Sequence, residues 1–151
     1  MLERTVVIVK PEGLSYLDQI TSRFISEGLR IVKVFSACFT SRVLEKLYQD
    51  ATACEELWST LLKFLAQKPC RVFILEGDGA IERVVRICGD NMDPGLCNRE
   101  TIRFQLGVQF APILVAGYGP FHRNIVHRSR TVEEAARDLI LVGELELGAL
   151  G

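Results

Sequence analysis

The residue in this 151-residue chain with the most chemistry within reach is a histidine. His127 ends an apolar run, precedes the start of a helix, and sits inside a block of arginines. A neutral imidazole is a competent nucleophile toward phosphorus near pH 7, since its unperturbed pKa is about 6.5. The reaction needs one ring nitrogen free and the other held by an acceptor. Asp138 lies on the following helix, from which a chain returning along a sheet brings its carboxylate beneath the ring. Between Arg99 and Arg130 there are five arginines and one glutamate, a local +4 that leaves −5 elsewhere to make the overall −1. Arginine's fork of donors suits phosphate oxygens, so the block points to a phosphorylated ligand. Lys10 closes the first apolar strand, just before Pro11. Taken singly, Lys10, Arg86 and Arg103 read as surface cations.

The elements that must position these groups follow from periodicity. Arg4 to Lys10 is a β-branched run, stopped by Pro11 and Gly13, and predicts a buried strand. Leu17, Ile20 and Phe24 recur at helical spacing, with Gly28 closing the helix. Ile31 to Phe35 reads as a strand, and Ser41 as the N-cap of a short helix through Leu44, Leu47 and Tyr48. Leu57, Leu61, Phe64 and Leu65 stripe another helix. Val72 to Leu75 is a strand, ended by Gly77-Asp78-Gly79 and followed by a helix through Ile81, Val84, Val85 and Cys88. Residues 89–111 show no clean period. Pro112 to Gly117 and Asn124 to Ser129 read as strands, and Thr131 with Glu134 forms a capping box opening the last helix. Strands separated by helices in one short chain predict an α/β (α+β sandwich) domain over 1–151, a ferredoxin-like antiparallel sheet covered by helices.

Composition narrows the function. Hydrophobic residues are 48% and charged residues 25%, which excludes disorder. No apolar run approaches a membrane span, so no membrane partner is expected. Five cysteines without C-x-x-C or metal-ligand spacing argue for reduced thiols and a cytoplasmic setting. Nucleic acid is not expected as a partner, because basic residues are not interleaved with aromatics over a wide face. The chain has no phosphate-binding loop of the G-x-x-x-x-G-K-[ST] or G-x-G-x-x-G type.

The combination of ERTVVIVKPEG, Tyr48 on a short helix, TIR at 101–103, and RNIVHRS before a capped helix resembles the nucleoside diphosphate kinase family. Arg86, Pro94 and Arg103 keep the family's separations, and Asp138 falls where the family has glutamate. The resemblance implies a ping-pong transfer of the γ-phosphoryl of a nucleoside triphosphate to a diphosphate through phospho-His127. It implies that Lys10 and Asn124 contact the sugar hydroxyls and leaving phosphate, and that Arg86 and Arg103 grip the phosphates. Mg²⁺ is then carried by the nucleotide, with ATP as donor, and not by a protein cage. Tyr48 falls where the family has a hydroxyl beside the transferred group. Asp138, and Ser129 through it, would orient the imidazole, with Asp50 a further acid nearby.

Departures accompany the match. Arg128-Ser129-Arg130 stands where the family has Gly-Ser-Asp, which would put a bulky side chain beside the nucleophile. Met92 replaces a threonine that contacts phosphate. Leu57 aligns with the aromatic that covers the base, with Trp58 one residue away. About eleven extra residues precede Asn124; their apolar centre, Ile113 to Val115, is expected to be buried, either in the chain's own core or in a homo-oligomer. The alternative to an enzyme is a kinase-like nucleotide-binding or scaffold protein with little or no turnover.

Overall fold

The first strand, β1 (Leu2–Val9), is flanked on both edges and covered on both faces, which is why it reads as an unbroken apolar run. In the computed structural model, which describes residues 1–150, it pairs antiparallel with β3 (Pro69–Asp78) and with β6 (Val126–Arg128). The outer strand β2 (Arg30–Cys38) pairs antiparallel with β3, giving the order β2-β3-β1-β6. This is the expected ferredoxin-like sheet. Gly151, the last residue of the expected domain, lies outside the described residues.

Alternation along β1 splits the core in two. Val7 and Val9 face α1 (Leu17–Ser26), α4 (Ala80–Cys88) and α5 (Ile102–Gly107), among Phe24, Phe73, Val84 and Ile102. Val6 and Ile8 face α2 (Ser41–Leu47), α3 (Glu55–Leu65) and α6 (Val132–Leu150), among Phe39, Leu44, Leu61 and Leu141. Caps differ in detail from expectation. Thr40 caps α2 by accepting from the Val43 amide at 3.2 Å, so Ser41 is the first helical residue and Tyr48 lies just past the last. Thr131 caps α6 as expected, accepting from the Glu134 amide at 3.1 Å.

The extra residues before Asn124 form a two-stranded hairpin, β4 (Ile113–Val115) with β5 (Gly119–Phe121). Phe121 stacks on Phe64 of α3 at 5.8 Å, which ties the hairpin to the body. Val115 is buried in the chain's own core, at 7% exposure, whereas Leu114 is 83% exposed in the single chain, so for it only the subunit-interface alternative stays open. Alternation in a two-stranded ribbon puts successive side chains on opposite faces, and only one face meets the protein.

Candidate active site

The site is built where β1 ends beside β6. Lys10 leaves β1 and its amide donates to Ile125 O at 2.8 Å. The turn Pro11–Tyr16 then carries Glu12 back, so that its carboxylate accepts the Ile125 amide at 3.2 Å. Ile125 is thereby clamped at both backbone groups in a left-handed conformation, φ 78°. The Val126 amide donates to Asn124 O at 2.9 Å across it, which makes Ile125 the centre of a tight γ-turn. For a β-branched residue such a conformation costs about 1–3 kcal/mol and persists only where its surroundings hold it. Gly13 is part of that hold. A Cβ there would lie 2.9 Å from Ile125 Cγ2 and 3.1 Å from Ile125 O, so only glycine lets the turn approach.

The turn aims two side chains. Asn124 accepts from Lys10 Nζ at 2.7 Å and donates to the Met92 carbonyl at 3.0 Å. Three residues on, His127 Nε2 lies 2.9 Å from Asp138 Oδ2, and Ser129 Oγ donates to the same oxygen at 2.8 Å. Arg137 holds the other carboxylate oxygen at 2.8 Å. A carboxylate that accepts fixes the proton on Nε2 and leaves the lone pair on Nδ1, which has no hydrogen bond to the described residues. Burial lowers the His127 pKa below the usual imidazole value despite the Asp138 carboxylate, so the ring is neutral at pH 7. Burial opposes the Asp138 charge, but the bonds from His127, Ser129 and Arg137 prevail and hold its pKa down. This is an oriented neutral base.

Cations surround it. The Tyr48 ring meets His127 edge-on at 5.7 Å, with Lys10 Nζ 5.5 Å from the Tyr48 ring centre. Arg103 reaches from α5 to donate to Val126 O and Asn91 O, both at 2.8 Å. Lys10, Arg103 and Arg128 are all buried, and none has a carboxylate within ion-pair distance among the described residues. Burial pulls Lys10 down to about 8 and Arg103 to about 10. The Tyr48 hydroxyl and Arg103 Nε are buried without partners. Burial raises the Tyr48 pKa, which keeps that hydroxyl a proton donor. Unpaired buried cations and idle donors are costly unless an anion completes them. The cluster has the chemistry to receive a polyanion.

Titration of Lys10 makes this measurable. The ammonium is charged below about pH 8 and loses its charge above it in the empty site. ADP affinity is therefore expected to fall as pH rises through about 8, and the Lys10→Arg protein to show no such limb. Titrations at fixed ionic strength from pH 7 to 9.5 read this directly; a flat profile for the parent protein contradicts it.

The other residues expected at the site make no side-chain hydrogen bond to this cluster among the described residues. Arg86 is exposed on α4, and Asp50 is exposed in the turn Gln49–Ala53. Leu57 is buried in the α3 core, while Trp58 beside it is half-buried. The Met92 side chain is 64% exposed and contributes its carbonyl instead. Arg128 does not crowd the nucleophile. It stands opposite Val7 on β1, as His127 stands opposite Ile8, so the two side chains leave β6 on opposite faces. Glu12 and Ile125 were missed, although the Lys-Pro-acid-Gly string contained the signal.

The described residues contain no cluster of three or more potential ligands able to hold a metal ion, and no helix long and apolar enough to cross a membrane. A family model described as nucleoside diphosphate kinase matches residues 3–144. A nucleoside diphosphate kinase of Kosmotoga olearia is 33% identical over 140 residues, covering 91% of this chain and 86% of that protein. A solved Borrelia burgdorferi nucleoside diphosphate kinase, a transition-state mimic with bound vanadate and ADP, superposes with a TM-score of 0.77 at 28% identity. The match covers 93% of this chain and 86% of that one. The Aquifex aeolicus nucleoside diphosphate kinase gives 0.76 at 27% identity, covering 94% and 95%.

Proposed function

The chain belongs to the nucleoside diphosphate kinase family, and from that premise we propose how its own residues carry the phosphoryl transfer. The observation that carries the reading is the His127 ring, with Nε2 held by Asp138 and Nδ1 left free among buried cations. In the first half-reaction the Nδ1 lone pair attacks the γ-phosphorus of a nucleoside triphosphate. The N–P bond forms as the bond to the β-phosphate oxygen breaks, and the diphosphate leaves with that electron pair. Asp138 steadies the positive charge growing on the imidazole through the Nε2 proton. A second nucleoside diphosphate then takes the phosphoryl from nitrogen onto its terminal oxygen, which restores the neutral ring.

Lys10 and Arg103 offset the charge of the phosphates, and the idle Tyr48 hydroxyl is a donor for a phosphoryl oxygen. Asn124 fixes Lys10. Such a cation-rich site suits Mg²⁺ only as carried by the phosphates, where it shields their charge. Arg128, turned to the far face of β6, removes the crowding that favoured an inactive scaffold. The five free cysteines suit a cytoplasmic setting, and exposed Leu114 is a surface for self-association.

Incubation with γ-labelled ATP and Mg²⁺, then a chase with a different nucleoside diphosphate, tests the reading. Label is expected first on the protein, acid-labile and alkali-stable, and then on the chase nucleotide. Label that never leaves ATP refutes it.

A further inference from the structure

The Asp138 carboxylate that orients the histidine is itself oriented, by a neighbour on its own helix. Asp138 is wholly buried on α6, and four donors fill its two oxygens. Oδ2 takes His127 Nε2 at 2.9 Å and the Ser129 hydroxyl at 2.8 Å. Oδ1 takes Arg137 Nε at 2.9 Å and Arg137 Nη2 at 2.8 Å. A carboxylate offers about four lone-pair positions, so each one is used. Arg137 and Asp138 are consecutive in the helix, where neighbouring side chains leave about 100° apart. The Arg137 stem must therefore fold back along α6 to place its fork. Glu134, one turn earlier, lies 3.9 Å from the same Nη2.

These donors differ in what they can fix. The carboxylate torsion of an aspartate is broad and nearly two-fold, so an unheld group turns easily. His127 lies in β6 and Ser129 follows it directly, so both donors move with the ring that is to be aimed. Among the described residues, only Arg137 ties the carboxylate side chain to α6. We propose that Arg137 is a positioning residue for the transfer: its fork fixes the plane of the Asp138 carboxylate against α6. That holds the ring proton on Nε2 and leaves the lone pair on Nδ1. The inference rests on His127 being the residue phosphorylated in the reading above. Arg137 makes no hydrogen bond to the ring and acts through Asp138.

The test compares the parent protein with Arg137→Ala, Arg137→Lys and Arg130→Ala. Arg130 is exposed and pairs with the same Glu134, so its loss controls for charge. Rapid-quench labelling with γ-labelled ATP and Mg²⁺ separates the rate of phosphate uptake from the fraction of protein labelled. Arg137→Ala is expected to label about tenfold more slowly at saturating ATP, with the parent's labelled fraction and ADP affinity. Arg137→Lys, which keeps one charged donor, should recover most of the rate, and Arg130→Ala should match the parent. An unchanged rate in Arg137→Ala overturns the proposal. So does a smaller labelled fraction at the parent rate, which marks a structural role, a lysine variant as slow as alanine, or a slowing equalled by Arg130→Ala. NMR of the imidazole nitrogens in the nucleotide-free proteins reads the ring proton without turnover. The parent should show Nε2–H alone, and Arg137→Ala a mixture of Nε2–H and Nδ1–H; Nε2–H alone in both overturns the proposal. A parent that takes no label would sink the transfer reading, while these spectra still decide the role of Arg137.

Discussion

His127→Ala is expected to leave a folded protein that binds ADP and takes no acid-labile phosphate from ATP. The ring is the only group in the cluster with a free, uncharged nitrogen. Lys10 and Arg103 lack a usable lone pair while protonated, and the pKa of Tyr48 is raised. Loss of the nucleophile removes the covalent route altogether, a drop of at least about a thousandfold in labelling rate. The fold should survive, because β6 is held at its backbone by β1 and the Ile125 clamp. His122 is the internal control. It lies 3.8 Å from Asp93, next to the hairpin, and His122→Ala should label at the parent rate. Labelling retained in His127→Ala and lost in His122→Ala would assign the chemistry to the wrong histidine.

Asp138→Asn is the second large effect, and it acts through position and not contact. An asparagine amide in place of the carboxylate either donates to Nε2, which moves the ring proton to Nδ1, or accepts without charge. Both disable the attacking nitrogen. Labelling should slow by about a hundredfold or more while ADP affinity stays near the parent value. Asp138→Glu keeps an acceptor for the ring and should recover most of the rate. Stability carries a further sign. The depressed carboxyl pKa contributes stability that is complete above the unfolded carboxyl value and is lost as pH falls through the folded one. The asparagine protein should lack that acid limb in a melting-temperature profile. Equal labelling rates in Asp138→Asn and the parent would reduce the dyad to a structural hydrogen bond.

The parts of this design visible in the sequence are those written in local chemistry. The β1 run, the stripes of α1 and α3, and the Thr131 box each satisfy their own periodicity, and they fold as read. The six residues of α5 were hidden because one and a half turns hold too few apolar positions to show a period; the Thr101 cap was the available cue. Strand β5, Gly-Pro-Phe, has no strand composition and exists because β4 needs a partner. Leu114 could not be told from Val115 because hydrophobicity does not say which face of a ribbon meets the chain's own body. At the site, His127 and Asp138 could be paired from spacing, since a strand and the helix after it fix their separation. Arg128 could not be placed until the register opposite Val7 was known, and a single residue of slip would have reversed it. Glu12 was masked for another reason: its partner is a backbone amide, and backbone donors leave no mark on composition.

The clamp on Ile125 has a consequence in time. Glu12 and Ile125 are 113 residues apart, and Lys10 and Asn124 are 114 apart, so the two halves of the site meet only by closing nearly the whole chain. Helices and the β2–β3 ladder can form on shorter loops, whereas contacts of long sequence separation carry their entropy cost before any reward arrives. The turn at Ile125 is unfavourable until Lys10 and Glu12 grip it, so it has no reason to form ahead of them. A molecule with most of its sheet in place therefore still carries an unaimed histidine. Competence for transfer is therefore expected to arrive at the end of folding, after the sheet is in place.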